Sequence, residues 1–328
     1  MVKLKTFLKV LLSVLLLGYL VYKAEPLKIA EVLGQVWYNN RMVYFPLAIG
    51  IYLLATITYT WRWQILVKAC GLQVVTWLDL FRFYLIGLFF NNFLPTSIGG
   101  DVFRIYHLIE KSGDRTAGFT SVLTERLLGI ASTLILTLLS LFLLSSQLND
   151  NRLIYLAAGL LVVIITFFIL VFNDHFLRMA EQLVKPLTVL RLGERIMKFF
   201  KAIRFYYNSR GIYLKILSIS IMGQILVIIM TYILSLTIGL QIPLDYLFLV
   251  VPISFLVTML PSINGIGFRE GAFVVLLGRI GISNAEAISL SFLSVLVPMI
   301  VSMSGGIFFI LNKQAPKKNE LKFVRENI

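Results

Sequence analysis

The sequence predicts an all-α polytopic membrane protein: six full-length transmembrane helices plus two re-entrant broken-helix hairpins in an inverted-topology repeat. Three observations carry that reading. Hydrophobic residues make up 59% of the chain and charged residues 14%, where a soluble domain is roughly 25% charged. Long apolar runs recur, and about 20 such residues cross a bilayer. Two Pro/Gly breaks, each closed by Phe-Arg, interrupt the apolar sequence at matching places. Helices broken at corresponding points in two halves of a membrane protein point to a substrate site.

The first break follows Gly71-Leu72-Gln73 and Leu78-Asp79 and reads Leu94-Pro95-Thr96-Ser97-Ile98-Gly99-Gly100-Asp101-Val102-Phe103-Arg104. The second follows Gly239-Leu240-Gln241 and Leu244-Asp245 and reads Leu260-Pro261-Ser262-Ile263-Asn264-Gly265-Ile266-Gly267-Phe268-Arg269.

Apolar runs place the full spans at 6–22, 42–60, 117–146, 153–173, 213–238 and 285–311, with broken hairpins at 77–111 and 244–282. The first run, behind Lys3 and Lys5, has the layout of a signal peptide. It lacks a small-x-small cleavage site, because Glu25 and Pro26 follow Ala24, so it is read as a retained helix. Two halves result, 1–150 and 151–311. The second includes an amphipathic cytoplasmic segment at 174–212, and a basic tail follows at 312–328.

Direction follows from lysine and arginine. The stretch 174–215 holds Arg178, Lys185, Arg191, Arg195, Lys198, Lys201, Arg204, Arg210 and Lys215 against Asp174, Glu181 and Glu194. The tail holds Lys313, Lys317, Lys318, Lys322 and Arg325. Both belong in the cytoplasm, as does the N-terminus. The loop 23–41, with Lys23, Lys28 and Arg41, runs against this assignment on the predicted outer side. The two breaks then enter from opposite faces. The arm 77–94 would reach about 27 Å and the return arm 102–111 only about 15 Å as helices, which favours re-entrant hairpins over full spans. Irregular backbone at that depth is tolerated against protein or water, so both breaks should face an internal cavity.

Asp101, Arg104, Arg269 and Glu270 sit at the breaks, and Glu125 and Arg126 lie a few residues into the following helix. A charge at mid-bilayer costs about 2.5–3.5 kcal/mol on insertion scales, so these groups must be paired or solvated. Local neutralisation of Asp101 by Arg104, Arg269 by Glu270 or Glu125 by Arg126 is the simpler reading. Adjacent residues on a helix do not face each other, so Glu125 and Arg126 each need a partner elsewhere. A restarted helix offers oriented N–H groups and its positive end. An added guanidinium, Arg104 or Arg269, would read a phosphate through paired hydrogen bonds. Gly99, Gly100, Gly265 and Gly267 permit close approach beside Pro95 and Pro261. Asn91, Asn92, Ser97 and Asn264 are uncharged donors there, or caps for the broken ends. Trp61-Arg62-Trp63 falls where the second span should leave the membrane. It reads as an interfacial anchor, with Arg62 a candidate headgroup contact.

Other chemistries find little support. Cys70 is single, and with only His107 and His175 beside it neither a disulfide nor a metal site is expected. No cofactor is expected. The net charge of +14 lies in loops, which points to anionic lipid rather than nucleic acid. No ATP-binding P-loop and no Asp-x-Asp metal motif occur, and His107 is followed five residues later by Ser112 rather than by an acid at acyltransferase spacing.

The stretches 91–104, 123–130 and 260–271 resemble the lysylphosphatidylglycerol synthase transmembrane-region family, also called the flippase-like domain family. The resemblance covers roughly residues 5–312. It implies a polytopic helical unit associated, in the synthases, with moving the charged lipid to the outer leaflet. Stand-alone relatives are linked to hopanoid, polyprenyl-linked sugar or other lipid pathways. By that resemblance Asn92, Pro95, Gly99, Gly100, Asp101, Arg104, Glu125, Arg126, Pro261, Gly265, Gly267, Arg269 and Glu270 are site residues. The soluble aminoacyl-transferase domain of the synthases is not read in this sequence, so lysyltransferase activity is not expected. The second motif also departs, with Ser262-Ile263-Asn264-Gly265 where many relatives carry a Pro-Gly-Gly type. The expectation is a flippase-like lipid translocase of the cell membrane, not an enzyme, which binds a phosphate-containing headgroup. Its expected partners are membrane phospholipid, an anionic lipid surface, and a second copy or a lipid-synthesis protein. The rivals are an intramembrane transferase or accessory protein on lipid-linked substrates, and a carrier of a small soluble anion.

Overall fold

The computed structural model describes residues 2–38, 41–93, 99–148, 210–260, 262 and 265–311, with isolated positions between 155 and 179. The predicted span 153–173, nearly all of the amphipathic segment and the tail lie outside the described residues. So do Pro95, Ser97, Pro261 and Asn264.

The described helices, numbered in chain order, are α1 (Val2–Lys23), α2 (Pro26–Tyr38), α3 (Tyr44–Ala69), α4 (Trp77–Phe93), α5 (Gly99–Ser112), α6 (Arg115–Leu148), α7 (Arg210–Thr237), α8 (Leu244–Val257), α9 (Phe268–Gly278) and α10 (Asn284–Leu311). A short 3-10 turn, Arg41–Val43, leads into α3, and no strand occurs among the described residues. Among the described residues, four segments are long and apolar enough to cross a membrane: Arg41–Ala69, Arg115–Leu144, Gly211–Thr237 and Asn284–Leu311. These cover four of the six predicted full spans. Val14–Lys23 and Leu244–Val257 are shorter apolar stretches.

Matching glycines end matching helices. Gly71 and Gly239 have φ near +82° and +83°, and Gly113 and Gly281 have φ of +73° and +84°. A side chain resists this left-handed conformation, so the chain turns where glycine stands. Capping boxes then restart α4 and α10. Thr76 Oγ1 accepts from the Asp79 amide while Asp79 Oδ2 accepts from the Thr76 amide. Ser283 and Glu286 exchange the same pair of bonds.

Two expectations need correction. The predicted span 42–60 stops too early, because α3 continues to Ala69 with Leu66 and Val67 buried. No breaker intervenes before Gly71, so aromatic residues alone did not mark an exit. The segment 23–41, read as a loop, is largely helix α2. Pro26 suits a first helical position, and Ala24 and Ile29 pack on Ala285 and Ile288 of α10.

The packing among α3–α10 follows a paired pattern. Helix α3 lies along α7. Helix α4 packs on α10 as α8 packs on α6, and α5 on α4 as α9 on α8. The contacts α5–α6, α3–α4, α3–α6 and α3–α10 likewise have counterparts in α9–α10, α7–α8, α7–α10 and α7–α6. One core joins Leu138, Ile228, Leu234, Leu247 and Leu290, and a second joins Trp63, Leu80, Phe83, Ile105 and Leu108. Lipid gives apolar helices little hydrophobic reason to associate, so close backbone approach and interhelical hydrogen bonds carry more of the packing. A Cβ on Gly305 would stand 2.1 Å from the Leu85 carbonyl oxygen. Ser140 on α6 donates to the Phe248 carbonyl of α8 at 2.8 Å.

Candidate functional site

A cavity of about 380 Å³ opens where α3–α6 meet α7–α10, and charged side chains line its first-half wall. Among the lining residues is Glu125 on α6, a buried carboxylate. One oxygen, Oε1, accepts from Arg62 of α3, and the other, Oε2, accepts from Arg104 of α5. Arg62 also donates to Ser220 Oγ on α7 at 2.9 Å. Arg104 donates to Asp101 Oδ1 at 3.3 Å, and Asp101 Oδ2 accepts from Arg126. The groups form one ladder: Ser220, Arg62, Glu125, Arg104, Asp101, Arg126. Glu125 and Arg126 therefore do not neutralise each other; each partners a group on another element.

Local sequence explains the placement. Helix α5 restarts at Gly99-Gly100, where a Cβ on Gly100 would lie 1.9 Å from the Gly87 carbonyl oxygen. A Cβ on Gly87 would in turn lie 2.7 Å from Arg104 Cγ. Small residues thus let α4 and α5 cross closely and leave room for the Arg104 stem. Asn91 Oδ1 accepts from the Gly100 amide at 2.7 Å, which makes it a cap for the restarted helix. Asn92 donates to Ser302 on α10 at 2.7 Å. Asp101 and Arg104, three apart on α5, fall on one face. The Arg104 guanidinium lies 4.2 Å from the Trp63 ring centroid and 4.4 Å from that of Tyr84, and Arg62 lies 5.0 Å from Tyr59. Such contacts suit a planar, weakly hydrated cation.

The second break is built differently. Gly265 and Gly267 have φ of +78° and +87°. Glu270 Oε2 accepts from the Gly267 amide at 2.6 Å, and its other oxygen pairs with Arg269. Arg269 Nε also reaches Ser291 Oγ at 3.3 Å. Here the pairing is local: Arg269 is paired with its own neighbour, and Glu270 ties down the start of α9.

Of the predicted site residues, Arg62, Asn91, Asn92, Asp101, Arg104, Glu125, Arg126 and Arg269 line the cavity. Gly99, Gly100, Gly265, Gly267 and Glu270 do not line it; they shape the elements behind it. The anchor reading of Trp61-Arg62-Trp63 fails for two of its members. Arg62 and Trp63 are buried, and only Trp61, 45% exposed, can face outward. The aromatic residues Tyr59 and Tyr84 were missed, because in so apolar a chain an aromatic residue is no signal. Gln224 was missed with less excuse. It stands alone in the apolar run of α7, lines the cavity and donates to Thr133 Oγ1 at 2.8 Å. Among the described residues, no group of three or more His, Cys, Asp or Glu is placed to hold a metal ion.

The helices, with a cavity that carries charged side chains on one wall, define a multi-pass helical membrane protein. The lysylphosphatidylglycerol synthase TM region family matches residues 6–306, and the chain belongs to that family. It is 23% identical over 311 residues to the UPF0104 membrane protein MJ1595 of Methanocaldococcus jannaschii, a match covering 87% of this chain and 89% of that one. No solved structure matches the chain.

Proposed function

We propose that this protein is a lipid translocase that holds a phosphate-containing headgroup in the central cavity while the acyl chains stay in lipid. The observation that carries the reading is the arginine pair at Glu125. Two buried guanidiniums converge from separate helices on one carboxylate beside open volume. Convergent guanidiniums recognise phosphate oxygens by directed, charge-assisted bonds. Family membership points the same way, toward lipid.

Alternating access would come from halves 1–150 and 151–311 rocking about the cavity as inverted repeats. The matched packing of α3–α6 and α7–α10 supports two related repeats. The proposed topology keeps both termini cytoplasmic in the cell membrane, with the hairpins 77–111 and 244–282 re-entrant. In this scheme Arg62 and Arg104 bind the phosphate, Asp101 steadies Arg104, and Arg126 and Arg269, each paired with a carboxylate, stand at the cavity wall.

The test is reconstitution into liposomes with fluorescently labelled phosphatidylglycerol, followed by chemical quenching of the outer leaflet. Wild type should exchange label between leaflets, and Arg62→Ala and Arg104→Ala should reduce the rate at least tenfold. Full activity in both variants would refute the reading.

A further inference from the structure

The geometry points to Glu125 as a tethered stand-in for the ligand's oxyanion: its carboxylate occupies the arginine pair when the cavity is empty and is displaced when an anion binds. This rests on the anion-binding reading above and adds a regulation of that same site.

The two oxygens of Glu125 are each taken by a different guanidinium. A tetrahedral oxyanion, whether a phosphodiester headgroup or free phosphate, presents two oxygens at similar spacing and would satisfy the same donors. Carboxylate and ligand therefore compete for one set of bonds.

The arginines do not depend on Glu125 for their positions. Arg104 is also held by Asp101 and by the rings of Trp63 and Tyr84. Arg62 is also held by Ser220 and the ring of Tyr59. A residue needed only to orient them would be redundant here. The donors are also incompletely used, because Nε of Arg62 and Nε of Arg104 are both buried without an acceptor. Each guanidinium thus has capacity beyond the carboxylate it shares.

Space for the exchange lies one turn along α6. Gly129, four residues after Glu125, lines the cavity, and a Cβ there would stand 3.3 Å from Arg62 Nη1. The missing side chain leaves the Arg62 guanidinium open on that side. There is a physical reason for such a device. Buried cations in a membrane are costly unless compensated. A carrier that releases its anion must compensate them from within before it can reorient empty. Glu125 would supply that charge on release and withdraw on loading.

The test uses the full chain in detergent, titrated calorimetrically with dihexanoyl phosphatidylglycerol and, separately, with inorganic phosphate. Glu125→Gln keeps the shape and removes the competing charge. It should bind at least one probe about tenfold or more tightly than wild type, while its flipping in liposomes slows. A gain with the short-chain lipid alone assigns the site to a headgroup, and a gain with both assigns it to the oxyanion itself; either supports the stand-in. Unchanged or weaker binding in Glu125→Gln, with wild-type binding abolished by Arg104→Ala, overturns it and makes Glu125 a positioning residue. If neither protein binds either probe, the anion-binding reading fails and the stand-in with it. Should Glu125→Gln not fold, Glu125→Asp serves. Its shorter side chain cannot bridge both arginines, so it too should tighten binding, and loss of binding would overturn the proposal.

Discussion

Arg62 and Arg104, on helices α3 and α5, donate to opposite oxygens of the single carboxylate of Glu125. Arg62 further bonds Ser220 of α7, so this junction ties the first half of the packing to the second. Removing either arginine changes the charge balance of the cavity, and removing Arg62 also breaks a contact between halves.

Breaking that junction should destabilise the fold. Arg104→Ala leaves a buried carboxylate with one partner fewer, and breaking a buried pair costs about 3–5 kcal/mol. The double variant Arg104→Leu, Glu125→Leu removes both charges and should lose less than the sum of the two single losses. Thermal unfolding in detergent, read as a double-mutant cycle, checks this.

Arg104→Lys should not rescue transport. A lysine keeps the charge but is a compact point donor. It cannot reach Glu125 and Asp101 in a fixed fork while lying on two aromatic rings. The variant should fold better than Arg104→Ala yet flip labelled lipid at least tenfold more slowly than wild type, measured in the same liposome assay.

The two glutamates should part company. Glu270 accepts from the Gly267 amide and neutralises Arg269. Glu270→Gln should therefore lower stability by about 2–4 kcal/mol, the range between a charged hydrogen bond and a broken buried pair, without tightening anion binding. Thermal unfolding and calorimetry together distinguish it from Glu125→Gln.

Stability should also depend on the close helix crossings. Gly100→Ala places a methyl 1.9 Å from the Gly87 carbonyl oxygen, and Gly305→Ala one 2.1 Å from that of Leu85. Backbone cannot yield as a side-chain tip does, so each should cost at least about 1–3 kcal/mol. Gly50→Ala, with open space around it, should be neutral or stabilising, since alanine favours a helix interior. Melting temperatures of the three variants provide the comparison.

Much of the site was legible because glycine, proline and charge are conspicuous in an apolar chain. The breaks before Arg104 and Arg269 stand out for that reason, and the cost of buried charge marked Asp101 and Glu125. That Glu125 and Arg126 need partners elsewhere was legible, but which residues those partners are was not. Arg269 and Glu270 neutralise each other as adjacent residues, whereas Glu125 ignores Arg126 for partners 63 and 21 residues away. The aromatic walls at Trp63 and Tyr84 were hidden because hydrophobic composition gives such residues no contrast, whereas Ser220 and Gln224 stood out in α7 as polar residues without showing which helix they would meet.

The sequence by itself determined the helical class, the glycines at which helices end and the family, since apolar length, turn glycines and motif residues are local properties of the chain. Only the tertiary structure decided that Arg62 belongs inside the cavity rather than at an interface, and that one carboxylate serves two arginines. Those facts depend on which helix faces touch, and that is set by contacts between α3, α5, α6 and α7 rather than by any stretch read alone.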